Sequence, residues 1–441
     1  EVIQWPGADE ITVFDTEFTF LEDSSGLDFF NGQLYAVDNG TGKFWILDVA
    51  QDGTLTFADG FENGKRVRFQ KDAGNPSAAG PDAEGIAVDG NGLVYLACER
   101  DNSEKGVNFN TILMVDPNAE GTDLLALSQW DLTASLPQVS ANMGIEAVEW
   151  VSNSAVAGKL MDQNTGAIFR PADYPDAVAG GVFFVALEDN GHVYAYVLNA
   201  DGSCVQIADI DPKLGGAMAL DYDTYENVLW VMADDGYGNR GAKVTLNGTD
   251  TPDIVHVLPP AGVNASANNE GFAIADAAYT VNGQRPVYRF QDGVSAGALT
   301  IGSLACDYTA PSGGEEENPG EEQKPGGEQE PGEENPGGEQ TPGEEQTPGE
   351  EQNPGGEQTP GEEQNPGGEQ TPGEDQKPGE EQKPGEDQTS GGDQTPTEEE
   401  NQEEEFSPGT GDSSRGLLWS GAAIVAFAVL VISAVLKKNR V

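Results

Sequence analysis

The stretch DAEGIAV at residues 82–88, followed by VYLACER at residues 94–100, decides the fold of this chain. Both stretches are short and mainly apolar, and the GNG at 90–92 between them favours a tight reversal. Two apolar runs joined by such a turn are typical of a β-hairpin. Similar segments begin at four other positions: Ser25, Glu146, Gly216 and Glu270.

The spacing of these segments indicates a repeat. Successive starts lie 59, 62, 70 and 54 residues apart, and further strand-like runs, such as FWIL at 44–47 and ILMV at 112–115, follow most pairs. A repeat of about 60 residues that holds about four strands is typical of a β-propeller blade. The sequence therefore predicts an all-β fold, a β-propeller of five blades. Six blades are the alternative if the irregular residues 151–180 hide one more.

The ends of the repeat region suggest how the ring closes. The last repeat is short at its C-terminal end, whereas ITVF at residues 11–14 precedes the first repeat. We expect this N-terminal run to supply the missing outer strand of the last blade. Residues 1–310 are then the propeller head domain.

Residues 311–406 differ from the head domain in composition. Units such as TPGEEQ at 341–346 repeat through this region, which offers almost nothing apolar to bury. A packed core cannot then offset the entropy cost of ordering the chain. We predict a disordered stalk rich in Pro, Gly, Glu and Gln, which extends because proline stiffens it and glutamates repel each other. A tail that binds cations or a partner is the alternative.

The C-terminal region, residues 407–441, predicts an anchor. Residues 417–436 form an uncharged, apolar run followed by a basic tail, which predicts a transmembrane helix with its basic end in the cytoplasm. The preceding residues are Ser407, Pro408, Gly409, Thr410 and Gly411.

This arrangement of motif, apolar span and basic tail resembles the sorting signal of Gram-positive cell-wall proteins, with serine in place of the usual first leucine. The resemblance implies that the membrane holds the chain until sortase cuts after Thr410 and joins it to peptidoglycan. The head would then be extracellular and anchored to the cell wall of a Gram-positive bacterium. An ordinary single-span membrane anchor is the alternative. Because the chain begins at Glu1, we also expect that an export signal has been removed.

Composition narrows the possible chemistry. The chain has 77 acidic and 21 basic residues, a formal net charge of −56. Such a charge repels nucleic acid, so we expect no nucleic-acid partner. The chain has only two histidines and three cysteines, too few for a mechanism based on several histidines or for a disulfide framework.

Acidic residues recur at one position of the repeat. In a propeller the first strand of each blade lines the central channel, and the second strand runs antiparallel beside it. The start of the first strand and the end of the second therefore meet on one face. First strands begin with glutamate in three repeats: Glu84, Glu146 and Glu270. Second strands end near Asn39, Glu99, Glu188, Asp234 and Asp292.

Carboxylates crowded around one opening repel each other unless a cation or protons relieve them. Oxygen ligands suit Ca²⁺ better than zinc, so we predict a Ca²⁺ site at this rim. The alternative is that these acids cap strands, pair with neighbours such as Arg100, or are simply solvated.

Several of the repeats resemble a known family. DAEGIA at 82–87 with YLACER at 95–100 is similar to the "esterase-like activity of phytase" domain, which is a propeller-type family. Residues 25–38 and NEGFA at 269–273 resemble other repeats of that family. The SdiA-regulated type of propeller is a second, weaker resemblance. The phytase-like resemblance implies extracellular hydrolysis of phosphate or other esters, with calcium dependence.

We combine the rim and the resemblance into one expected site. The predicted Ca²⁺ ligands are Glu84, Glu146, Asp234, Glu270 and Asp292, and the predicted catalytic residues are Glu99, Arg100 and Glu188. The cation would neutralise a small phosphate ester and orient a water molecule, while Arg100 steadies an oxygen. The alternative function is that of a surface adhesin or ligand-binding propeller without catalysis.

Overall fold

The computed structural model describes residues 1–17 and 19–309. The predicted stalk, sorting motif and transmembrane segment lie outside these residues. Within the described residues, none of the helices has both the length and the apolar character needed to span a membrane.

The described chain is almost entirely β-strand. The N-terminal segment contains β1 (Val2–Ile3) and β2 (Thr12–Val13). Next come β3 (Ser24–Phe30), β4 (Gln33–Asp38), β5 (Lys43–Val49), β6 (Leu55–Phe57) and β7 (Lys65–Arg68). These are followed by β8 (Pro81–Val88), β9 (Val94–Asp101), β10 (Thr111–Val115), β11 (Asp123–Leu125) and β12 (Ser128–Asp131).

The second half continues the pattern. It contains β13 (Ile145–Ser152), β14 (Met161–Asp162), β15 (Ala167–Ile168), β16 (Gly181–Leu187), β17 (Val193–Leu198) and β18 (Cys204–Ile210). The last strands are β19 (Ala219–Asp223), β20 (Val228–Met232), β21 (Gly241–Thr245), β22 (Asp253–Val257), β23 (Asn269–Ile274), β24 (Gln284–Gln291) and β25 (Leu299–Ala305). The only α-helix of the described residues is α1 (Asn153–Val156). Short 3-10 turns cover Gln70–Asp72, Pro171–Asp173, Asp235–Tyr237 and Ala277–Tyr279.

These strands form five blades, so the predicted β-propeller and its blade number are confirmed. Blades 1 to 5 have β3, β8, β13, β19 and β23 as their inner strands. Each inner strand contacts the next, and β23 contacts β3, which closes the ring. The segment between β13 and β16 holds only α1, the small β14–β15 hairpin and one 3-10 turn. It therefore hides no sixth blade.

The N-terminal segment closes the ring in two places. Strand β2 pairs antiparallel with β25 and completes blade 5, as the sequence predicted. Strand β1 pairs in parallel with β22 and extends blade 4, which the sequence did not predict. Trp5, which lies between β1 and β2 in the sequence, packs against Trp230 and Phe272 at the boundary of blades 4 and 5.

The hydrophobic core is divided among the blade boundaries. Five clusters of buried side chains are present in the described residues, and each joins two neighbouring blades. The propeller thus buries both faces of every sheet, which explains why its strands are apolar runs and do not alternate.

At the centre, the inner strands approach each other backbone to backbone. A Cβ atom added to Gly85 would lie 2.7 Å from the Cα of Ala147, and one added to Gly26 would lie 2.8 Å from the Cα of Gly85. One added to Gly271 would lie 2.4 Å from the carbonyl oxygen of Ser25. Only glycine allows these approaches, because any side chain would push two inner strands apart.

We therefore expect Gly85→Ala to destabilise the protein by about 1–3 kcal/mol, the usual cost of overpacking. Denaturant unfolding of the full chain, followed by far-UV circular dichroism, measures this loss. Gly74→Ala is the matched control, because an added Cβ there meets no atom within 4 Å. Equal effects of the two substitutions would contradict the proposed close approach.

Candidate cation site at the axial mouth

The three predicted glutamates sit at interruptions of the strand pairing. In blades 2, 3 and 5, one residue of the inner strand is left out of the pairing with the second strand. These residues are Glu84, Glu146 and Glu270. Such bulges bend the strand and redirect a side chain, and they occur next to functional sites. The bulge therefore explains how a buried strand can present a carboxylate to the channel.

Blade 4 departs from the predicted pattern. The sequence placed Gly216 at the position of these glutamates. In the structure Ala219 pairs with Met232, as Gly85 pairs with Ala97 in blade 2. The equivalent residue is therefore Met218, two residues further along, and blade 4 brings no acid from its inner strand to this position.

The structure brings most of the predicted site residues together at one mouth of the channel, here called the upper mouth, whereas the charge that acts on Asp234 in the described residues is that of Asp235. All of them are buried: Glu84, Glu99, Arg100, Glu146, Glu188, Asp234, Glu270 and Asp292. The carboxyl group of Glu146 experiences repulsion from Glu84, Glu188, Glu99 and Glu270, which belong to three different blades. Radial convergence of these side chains, which the site hypothesis requires, is therefore present.

Burial and mutual repulsion disfavour the ionised forms. The pKa values of Glu84, Glu146 and Glu270 are all raised well above the ordinary value, first by desolvation and then by neighbouring carboxylates. Burial, followed by the charge of Asp235, raises the pKa of Asp234 to about 6. Burial therefore favours protonated carboxyl groups in this cluster unless a cation replaces the protons.

The tightest group lies on blade 2. Asp82, Glu84 and Glu99 each offer one carboxylate oxygen, and these three atoms lie within 4.8 Å of one another. Asp82 was not among the predicted site residues. Its position two residues before Glu84 could have indicated that both side chains lie together, because alternate residues of a strand lie on the same face.

Hydrogen bonds fix Glu84 but leave one of its oxygens without a partner. Oε2 accepts hydrogen bonds from Ser25 Oγ at 3.0 Å and from Asn39 Nδ2 at 3.1 Å. Oε1 is buried and has no hydrogen-bond partner among the described residues, although Glu84 is only 1% exposed. A buried carboxylate oxygen without a donor is costly, and a cation would satisfy it.

Arg100 organises the acids of blade 2. Its guanidinium group pairs with Asp82, lies 3.5 Å from Glu99 and donates to the carbonyl oxygen of Ala141 at 3.1 Å. Glu99 also accepts a hydrogen bond from the backbone N–H of Gly144 at 3.0 Å. Arg100 therefore offsets part of the negative charge, and the acids around it keep defined orientations.

Blade 5 carries a second arrangement of this kind. Asn268 Nδ2 donates to Glu270 Oε1 at 2.9 Å and to Asp292 Oδ2 at 3.3 Å. Glu270 Oε2 and Asn268 Oδ1 are both buried and have no hydrogen-bond partner among the described residues. Two acceptor atoms at this place thus also lack a donor.

The donor chemistry fits a hard cation. The residues that converge at the mouth offer carboxylate and amide oxygens, which Ca²⁺ and Mg²⁺ prefer. Both histidines bond elsewhere: His192 Nδ1 lies 2.6 Å from Asp209, and His256 Nε2 lies 2.8 Å from the carbonyl oxygen of Pro212. The residues present therefore fit Ca²⁺, and no imidazole serves as a general base at this mouth.

Comparison with known proteins adds the fold alone. No family model matches the chain, and no curated protein matches it. Solved structures with a similar fold include virginiamycin B lyase from Staphylococcus aureus, 12% identical with a TM-score of 0.28, where the match covers 68% of this chain and 75% of the lyase. Another is glutaminyl cyclase from Myxococcus xanthus, 11% identical with a TM-score of 0.35, where the match covers 66% of this chain and 95% of the cyclase. Likenesses this distant carry no argument about activity.

The raised pKa values predict a specific pH dependence of stability. In the metal-free protein the folded state retains protons on these glutamates that the unfolded chain releases near its ordinary glutamate pKa. The folded state thus binds more protons, so the free energy of unfolding should fall as pH rises above about 5, where the unfolded chain has lost these protons. Saturating Ca²⁺ should reduce this slope, because the cation stabilises the ionised carboxylates.

Thermal unfolding of the full chain across this pH range, with EGTA and with Ca²⁺, tests the prediction. Other buried acids contribute with the same sign, so the informative comparison is with the double variant Glu84→Gln and Glu270→Gln. This variant should show a shallower slope and a smaller response to Ca²⁺. A metal-free slope identical to that of the unsubstituted protein would argue against protonation at the mouth.

Proposed function

We propose that the upper mouth holds Ca²⁺ and that this chain is an extracellular hydrolase of phosphate or other esters. The observation that carries the proposal is the trio Asp82, Glu84 and Glu99, whose ligand oxygens lie within 4.8 Å of one another while Glu84 Oε1 has no donor. The expected stalk and sorting signal would hold this head domain outside the cell wall.

The proposed ligands combine this trio with the sequence prediction. Asp82 and Glu84 on blade 2 would hold the cation, and the predicted ligands Asp234, Glu270 and Asp292 would supplement them. When bound, Ca²⁺ offsets the negative charge of the rim and polarises an anionic ester. Without it, the carboxylates would repel a phosphate substrate.

The remaining carboxyl groups would handle protons. The raised pKa of Glu146 favours the protonated form of its carboxyl group, and a protonated carboxyl group is what a general acid requires. Glu99, held by the N–H of Gly144, and Glu188, at the end of β16, would orient the attacking water. Arg100 keeps Asp82 and Glu99 in place and would steady a substrate oxygen.

A second candidate function is binding without catalysis. It is favoured by the engagement of Arg100 with two carboxylates and a carbonyl, and by the position of both histidines away from the mouth. A cation held by carboxylates alone could bridge the propeller to an anionic glycan or host protein. The hydrolase and the adhesin differ in turnover, not in the need for the cation.

The test uses the full chain with p-nitrophenyl phosphate, myo-inositol hexakisphosphate and p-nitrophenyl acetate, each with Ca²⁺ and with EGTA. We expect turnover of an ester that EGTA abolishes. Glu84→Gln should weaken Ca²⁺ binding, measured by isothermal titration calorimetry, by more than about 10-fold. Glu62→Gln is the matched control, since Glu62 is exposed and far along the chain from the bulges.

The outcomes separate the hypotheses. Saturable Ca²⁺ binding without turnover of any ester would favour the binding protein. If Ca²⁺ does not bind, or if Glu84→Gln binds it as well as Glu62→Gln does, the cation site and the hydrolase are both rejected.

A further inference from the structure

A second group of acids lies further along the same inner strands. Asp28 on β3, Glu149 on β13 and Asp221 on β19 stand at equivalent positions, two residues after Gly26, Ala147 and Ala219. All three line a cavity of about 350 Å³, here called the lower cavity. The residues of the upper-mouth site do not line it, so it is a separate feature of the molecule.

Part of this arrangement is structural. Asp28 Oδ2 accepts a hydrogen bond from the backbone N–H of Val88 at 2.7 Å, and Asp221 Oδ1 accepts one from the backbone N–H of Ile274 at 3.1 Å. Each bond crosses from one blade to the next. Glu149 likewise accepts a hydrogen bond from the backbone N–H of Tyr222 on the next blade. All three carboxylates therefore have a structural role, but that role does not account for the cavity beside them.

The charges of the three acids are not balanced among themselves. Burial, followed by the charges of Asp28 and Asp221, raises the pKa of Glu149 well above its ordinary value. Burial raises the pKa of Asp28 to about 7. Asp223 and Asp276 also line the cavity, where the one basic lining residue is Arg285. Among the described residues, the cavity is therefore lined by five carboxyl groups and one basic side chain.

Arg285 provides an independent sign of a ligand. Its side chain is 2% exposed, pairs with Asp223 and donates through Nη1 to the carbonyl oxygen of Ala275 at 3.3 Å. Its Nε is buried and has no hydrogen-bond partner among the described residues. Buried donors are nearly always paired in folded proteins, so this N–H requires an acceptor that the protein does not provide.

The walls of the lower cavity are aromatic. Phe29, Phe30, Trp150 and Tyr222 line it together with the acids. Apolar and aromatic walls with a few convergent polar groups are typical of sites for small organic molecules. Aromatic rings offer no ligand to a metal ion but attract an organic ammonium group and its carbon skeleton.

We propose that the lower cavity binds a small hydroxylated amine. The ammonium group would be held by Asp28, Glu149 and Asp221, the carbon skeleton would contact the aromatic walls, and a hydroxyl oxygen would accept from Arg285 Nε. A bare metal ion fits less well, because all three carboxylates already accept hydrogen bonds from backbone N–H groups. This proposal does not depend on the function of the upper mouth.

Glucosamine is a suitable probe, and N-acetylglucosamine is the matched compound that keeps the ring and hydroxyl groups but lacks the positive charge. We expect isothermal titration calorimetry on the full chain, with EGTA present, to show saturable binding of glucosamine. Binding of N-acetylglucosamine should be at least about 10-fold weaker, as expected for the loss of a charge-assisted hydrogen bond.

Variants locate the binding. Glu149→Gln should weaken glucosamine binding by at least about 10-fold, whereas Glu62→Gln, at an exposed glutamate, should not. Glu149→Gln should remain folded, because it removes a repulsive buried charge, and its thermal unfolding provides the check. Arg285→Lys should reduce the preference for glucosamine over cyclohexylamine, which lacks hydroxyl groups.

Three results would overturn the proposal. They are an absence of glucosamine binding to the unsubstituted chain, equal binding of N-acetylglucosamine, and full binding by Glu149→Gln. If Ca²⁺ binds and Glu149→Gln removes that binding, the lower cavity is a metal site and the proposed amine is wrong.

Discussion

The structure depends on the close approach of the five inner strands at the propeller axis. At the narrowest level the residues are Gly26, Gly85, Ala147, Ala219 and Gly271, the first four of which line an axial void of only about 10 Å³. Because backbones meet there, the two ends of the channel are separated from each other. Inner-strand residues that come just before this level in the sequence place their side chains at the upper mouth. Asp28, Glu149 and Asp221, two residues after this level, line the lower cavity.

This division concentrates charge in two separate places. Charged groups are rare on buried strands, because the free-energy cost of desolvating the charge exceeds the stabilisation from a distant partner of opposite charge. Here bulges deliver Glu84, Glu146 and Glu270 to one end, while Asp28, Glu149 and Asp221 stand at the other. The hydrophobic packing between blades must offset that cost. Such local conflicts with good packing are expected at functional sites.

The two ends differ in the chemistry that they offer. The upper mouth has carboxylates and amides with buried, unsatisfied acceptor oxygens on blades 2 and 5, which suits a cation with oxygen ligands. The lower cavity combines carboxylates with aromatic walls and an unpaired guanidinium N–H, which suits a cation with a carbon skeleton. One fold can therefore support two binding sites that share an axis but not a ligand.

The sequence by itself determined the fold class and the number of blades, and it indicated three of the rim acids. Apolar runs, glycine turns and a repeat near 60 residues are local features, and a propeller keeps equivalent residues on one face, so register alone predicted that Glu84, Glu146 and Glu270 meet. The parallel pairing of β1 with β22 lies outside this repeat and was not predicted.

Other features were decided only by the tertiary structure. Met218, not Gly216, takes the glutamate position of blade 4, because the hairpin of β19 and β20 sets that register. Whether Glu84 Oε1 or Arg285 Nε finds a partner depends on atoms from other blades, as does the cavity beside Asp28. Long-range packing fixes those contacts, and a local repeat pattern carries no information about them.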